Sequence, residues 1–107
     1  MDIGNDSTFG AGTQIWATDM HSMLDWNKNL TNYGSFVQIG SHVWCGLDAK
    51  ILKNSKISAD SVVGAGSVVA GTVFNEKNVL IDGNPARIVK HNIHWDKLTP
   101  ERYLERD

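Results

Sequence analysis

Apolar residues recur along this chain every six positions. Ile3, Phe9 and Ile15 open the series, and after a gap it resumes at Ile39, Cys45, Ile51, Ile57, Val63 and Val69. Four residues beyond each stands a small or β-branched residue: Ser7, Thr13, Val43, Ala49, Ser55, Ser61, Ser67 and Val73, with Asp19 as the one break. Glycine follows the apolar residue at Gly4, Gly10, Gly40, Gly46 and Gly64, where a missing Cβ helps a chain turn sharply between short strands. A period of six fits neither the 3.6-residue helix nor the two-residue alternation of a strand. It fits a chain with one straight edge and one corner per hexad, three hexads closing a triangular coil with the apolar residues inside. Coils stacked one strand spacing apart, roughly 4.8 Å, pair their backbones as parallel sheets. The expected fold class is therefore all-β, a parallel β-helix shaped as a triangular prism.

Regular hexads cover residues 3–20, a first coil, and 39–74, two further coils. Residues 21–38, HSMLDWNKNLTNYGSFVQ, lack the repeat and read as a loop excursion from the wall, the kind of segment that often carries function. Their number preserves the phase of the repeat, so a degenerate coil with Asn27 and Tyr33 pointing inward is the competing reading. Residues 75–92 form a closing segment with a turn at Gly83-Asn84-Pro85. In the tail, residues 93–107, Thr99 is placed to cap a short helix, with Pro100 at its first position and Glu101 in its first turn. The whole chain, 1–107, reads as a single domain. Because the repeat begins at Ile3 with no capping segment before it, the first coil is expected to present an apolar end that a neighbouring subunit or further segment covers.

Composition narrows the functional classes. With 107 residues, 41% of them hydrophobic, and a net charge of -2, there is one small core and no basic stripe of the kind that binds nucleic acid. No apolar run is long enough for a membrane span or a signal segment, and the single Cys45 cannot form an internal disulfide. A cytoplasmic protein with neither nucleic-acid nor membrane partners is expected. Cys45 holds an inward hexad position and reads as core packing, not as a nucleophile.

The segment from Ile39 to Lys90, with VWCG, GAGS and GNPAR in that order, resembles the C-terminal half of the hexapeptide-repeat acetyltransferases. That family includes galactoside, maltose and xenobiotic acetyltransferases and the capsule and lipopolysaccharide sugar O-acetyltransferases. TDMHSMLD, residues 18–25, resembles the loop motif that carries their catalytic histidine, and the likeness spans residues 3–92. The resemblance implies left-handed winding and a homotrimer with three equivalent sites at the subunit interfaces. It also implies transfer of an acetyl group from acetyl-CoA to a hydroxyl, or less commonly an amine, of a saccharide or similar small acceptor.

Residue by residue, His21 matches the family's general base. Imidazole suits that task because it is largely unprotonated near neutral pH and can accept the acceptor's proton. Asp19 or Asp25 is placed to orient the ring. Coenzyme A lies along the outside of the prism in this family. Ala65 and Gly66 match backbone positions beside its pantetheine arm, Leu47 matches a contact one coil earlier, and Trp44 stands beside the groove. Arg87 and Lys90 match basic positions at the nucleotide end, where a guanidinium meets phosphate through charge-assisted hydrogen bonds. Two departures favour the alternative of a non-catalytic trimeric β-helix that serves binding or assembly. Ala70-Gly71 stands where the family commonly has Thr-Lys, which removes a cation, and the coils that shape the acceptor pocket have no counterpart here. No metal is expected: the γ-type carbonic anhydrases share the architecture but need two histidines five apart, and five residues after His42 stands Leu47.

Overall fold

The computed structural model describes residues 1–106. Its strands follow the hexads: β1 (Asp2–Ile3), β2 (Thr8–Phe9) and β3 (Gln14–Trp16) in a first coil, β4 (Val37–Ile39), β5 (Trp44–Cys45) and β6 (Lys50–Leu52) in a second, and β7 (Ser55–Ile57), β8 (Val62–Val63) and β9 (Val68–Val69) in a third. A partial fourth coil follows, with β10 (Val73–Phe74) and β11 (Leu80–Gly83). β12 (Ala86–Lys90) then folds back antiparallel on β11. Three walls result: β1-β4-β7-β10, β2-β5-β8-β11 closed by β12, and β3-β6-β9.

Register explains the phase of the repeat. Between the second and third coils, partners stand eighteen residues apart, Ile39 with Ile57, Cys45 with Val63 and Ile51 with Val69. Between the first and second they stand thirty-six apart, Ile3 with Ile39 and Ile15 with Ile51. Residues 17–36 thus contribute no rung to any wall, and Tyr33 is 88% exposed. Val37 and Gln38, assigned to the loop from the sequence, belong to β4. The repeat also runs past residue 74, because Leu80 and Ile81 pair with Val62 and Val63.

The core is a column of inward residues. Ile51, Ile57, Val63, Val69, Val79 and Ile81 are fully buried, which suits β-branched side chains that pack well on a pleated surface. The serines at the small positions are buried for a second reason. Ser55 Oγ accepts from Gly71 N–H at 2.9 Å, Ser61 Oγ from Val79 N–H at 3.4 Å and Ser67 Oγ from Gly83 N–H at 3.2 Å. Each hydroxyl satisfies a backbone donor of the next coil, and that of Val79 is buried. Among the described residues none forms a layer beneath the first coil, and Ile3 and Phe9 are 45% and 38% exposed.

The corners correct one sequence inference. Residues with positive φ fall in columns, Asp6, His42, Asp60 and Asn78 at one corner and Gly12, Asp48 and Gly66 at the next; Asp, Asn and Gly are the types that tolerate the left-handed region. The glycines after the apolar residues are not among these. Gly46 is required by close approach of coils, since a Cβ there would stand 2.7 Å from Ala65 N. Gly46→Ala is expected to destabilise the fold by about 1–3 kcal/mol through overpacking against backbone, read as a lower urea midpoint. An unchanged midpoint would mean that the coils can separate locally without loss.

The tail carries α1 (Pro100–Glu105), capped by Thr99, whose side chain accepts from Arg102 N–H at 3.3 Å. The molecule measures 64 × 24 × 23 Å. Four stacked coils rise only roughly 15 Å, so the loop and tail account for most of the length. No helix among the described residues is long and apolar enough to cross a membrane.

Candidate active site

The loop of residues 17–36 leaves the β3-β6-β9 wall after Trp16 and folds as a hairpin. Leu24 bridges Leu30, and Thr31 N–H donates to Met23 O at 2.9 Å. Asp25 organises the tip: its Oδ1 accepts from the backbone N–H of Asn27 at 2.8 Å and of Asn29 at 2.9 Å. These donors hold the Asp25 carboxyl below the usual carboxylate range, the Asn29 backbone contributing most. Trp26, at the tip, is 97% exposed.

At the base of the loop, His21 borders an open cavity of about 260 Å³ together with Thr18, Asp19, Leu30, Tyr33 and Lys53. Met20 takes a positive φ of 71° and donates its N–H to Thr18 Oγ1 at 3.0 Å, a turn that sets the direction in which the chain enters His21. Asp19 Oδ2 receives Lys53 Nζ at 2.9 Å and Asn32 Nδ2 at 2.8 Å. The Lys53 hydrogen bond, and after it that of Asn32, lowers the Asp19 pKa. The two carboxylates expected to orient the imidazole therefore have other partners. Asp25 serves the loop tip and Asp19 the loop base, and neither forms a hydrogen bond to the His21 ring in this structure.

The residues expected to meet the coenzyme divide between two columns. Leu47, Ala65 and Gly66 stack at the corner that leads into the β3-β6-β9 wall, joined by Gly66 N–H to Leu47 O at 2.7 Å. A Cβ on Gly66 would meet nothing within 4 Å, so this edge is open to the outside. Arg87 lies above it, opposite Asp82 across the β11–β12 pair, and Ser67 Oγ donates to Asp82 Oδ1 at 2.8 Å. Trp44 and Lys90 belong to the other column, at the opposite side of the wall, aligned through Val62 and Leu80. There the tail meets the wall: Trp95 stacks on His42 with centroids 4.0 Å apart, donates Nε1–H to His42 O at 2.8 Å, and lies 5.9 Å from Trp44 between ring centroids.

Within one chain the open corner and the His21 cavity flank the β3-β6-β9 wall on opposite sides. Lys53 stands six positions after Leu47, at most roughly 20 Å along an extended chain. Sequence reasoning missed Lys53 and Asn32, which carry no motif, and whose roles arise from contacts between residues 13 and 21 apart. Cys45 is fully buried and its thiol is pushed up to about 12 by desolvation, in keeping with core packing. Among the described residues no group of three or more His, Cys, Asp or Glu is arranged to hold a metal.

A stacked-coil prism with a histidine-bearing loop on one edge and an open small-residue corner on another defines a class. The chain is 41% identical over 98 residues to the polysialic acid O-acetyltransferase of Neisseria meningitidis, covering 91% of this chain and 45% of that protein. A crystallographically analysed polysialic acid O-acetyltransferase superposes with a TM-score of 0.86 at 41% identity, over 91% of this chain and 46% of the other. A galactoside acetyltransferase solved in complex with coenzyme A superposes with a TM-score of 0.68 at 25% identity, over 84% of this chain and 44% of the other. No family model matches the chain. Sequence and fold alike match the hexapeptide-repeat acetyltransferases, the family that the VWCG, GAGS and GNPAR segments resemble. The chain spans between about a third and a half of the length of the curated relatives it matches, 32% of one and 45% of another.

Proposed function

We propose that this chain supplies the coenzyme edge and the general base of a saccharide O-acetyltransferase that uses acetyl-CoA. In this reading His21 takes the proton from an acceptor hydroxyl as its oxygen attacks the thioester carbonyl. The acetyl group passes to that oxygen, and coenzyme A leaves as the thiol with a proton returned to its sulfur. The pantetheine arm would run along Leu47, Ala65 and Gly66, with Arg87 toward the phosphates. The fine points of the same proposal are left-handed winding, a homotrimer and a cytoplasmic site of action.

The observation that carries the proposal is the placement of His21 on a loop over a polar cavity, with an open glycine-bearing corner across one wall. Because the two features flank opposite sides of one wall, a second copy whose corner faces this loop would complete the site. A closed ring of three prisms presents three such junctions. The exposed apolar residues of the loop, Met23, Leu24 and Trp26, support a neighbour on that side.

Isothermal titration with acetyl-CoA and with coenzyme A tests the reading. Binding in the micromolar range, at one site per chain, is expected. Absence of heat at millimolar ligand would favour the alternative, a non-catalytic β-helical binding or assembly module.

A further inference from the structure

We infer that Lys53 is the positioning residue for His21: its ammonium, projected from the second coil, clasps both limbs of the loop that the first coil sends out. This inference rests on the reading of His21 as the base and adds how the base is held.

None of residues 17–36 is buried, so apolar packing does little to fix the loop. The Lys53 side chain is nevertheless only 10% exposed. It donates to Asp19 Oδ2 at 2.9 Å on the outgoing limb and to Asn32 O on the returning limb. Asn32 closes the frame. Its Nδ2 donates to Asp19 Oδ2 at 2.8 Å and to His21 O at 2.9 Å, and its Oδ1 accepts from Met23 N–H at 2.8 Å. The Asp19 side chain before His21, the His21 carbonyl and the Met23 N–H after it are thereby tied to one cation at the turn that follows β6. Beyond this frame, Asn54 N–H to Phe36 O at 2.6 Å holds the end of the returning limb, remote from His21 in sequence.

Charge pairing strengthens the frame, because a cation with this little exposure is costly without its anion. The direction of the Asp19 shift agrees with this. Its folded pKa is depressed, so the clasp contributes above the unfolded value and is lost as pH falls through the folded one, below 3.8. At neutral and mildly acidic pH the Asp19 carboxylate stays ionised.

The test uses Lys53→Met and Lys53→Arg in the intact protein, with acetyl transfer to a saccharide acceptor and acetyl-CoA titration read side by side. Lys53→Met is expected to lower kcat by about 10–100-fold, the order of loss from a displacement near 1 Å. The KM and Kd for acetyl-CoA should stay within about twofold, since the coenzyme edge is formed by other residues. Lys53→Arg should recover most of kcat, because a guanidinium can still serve both acceptors. Wild-type kcat in a folded Lys53→Met overturns the inference, as does loss of coenzyme affinity in step with kcat. Should Lys53→Met not fold, Asn32→Ala removes the bridge without stranding a charge and carries the same expectation. If the wild-type protein transfers no acetyl group to any saccharide, the functional reading fails and the clasp is judged by hydrogen exchange. Lys53→Met should then speed exchange at Met23 and Thr31 at least tenfold while Ile51 and Ile57 keep their protection. Unchanged loop exchange sinks it.

Discussion

Replacing His21 by alanine is expected to lower acetyl transfer by about 10²–10⁴-fold, the usual contribution of a positioned general base, while acetyl-CoA affinity stays as it was. The separation follows from the geometry. His21 borders the loop cavity, and in a site completed by a neighbour's Leu47, Ala65 and Gly66 corner it would face only the thioester end, so the contacts to the pantetheine arm and phosphates stay when the imidazole is removed. Release of coenzyme thiol is a clean readout, because Cys45 is fully buried with its thiol pushed up to about 12 and stays silent toward thiol reagents in the folded protein. A His21→Ala protein that turns over at the wild-type rate would remove His21 from the chemistry. One that loses coenzyme binding as well would place the ring at the coenzyme instead.

The second large effect is on stability. Ile51→Ala is expected to destabilise the fold by about 2–5 kcal/mol, the range for deleting this much volume from a close-packed core. Ile51 is fully buried between Ile15 below and Val69 above, and a rigid coil cannot collapse around the gap without breaking register. Ile15→Ala, on the same wall but in a coil with no layer beneath, should have a much smaller effect. Urea denaturation at one fixed protein concentration measures both, since association would make the midpoint concentration-dependent. Equal losses at the two positions would show that the first coil is covered in solution.

The fold was legible because its repeat is local. A residue every six positions must face inward whatever the rest of the chain does, and the buried column from Ile39 to Val69 follows those positions one by one. Boundaries were less legible. Val37 points inward on β4 and is in phase with Val43 six residues later, but Tyr33 at the leading position of its hexad breaks the apolar series and leaves the start of the strand inside the loop. The glycines were found for an incomplete reason: Gly46 answers to the approach of Ala65 from the next coil, a distance that no local pattern contains. His21 could be proposed from its TDMH setting and its place at the break in the repeat. Its surroundings could not, because Lys53 and Asn32 reach the loop base by contacts across coils. Asp25 looked equivalent to Asp19 in the sequence; the tight turn of Asn27 and Asn29 around its carboxylate sets it apart. Trp44 likewise gave no sign that Trp95 of the tail would lie beside it.

The loop begins after Trp16 and ends before Val37, and Trp16 pairs with Leu52 just as Val37 pairs with Ser55. Both attachment points are held by the wall, so hydrogen bonding between coils, and not the length of the insert, keeps the first and second coils aligned. Scaffold and loop are therefore separable in the manner of a chassis and an exchangeable cartridge. Inserts of other lengths could be grafted between Trp16 and Val37 without shifting a single rung, and the chemistry presented at that edge could be changed while the prism that supports it stays the same.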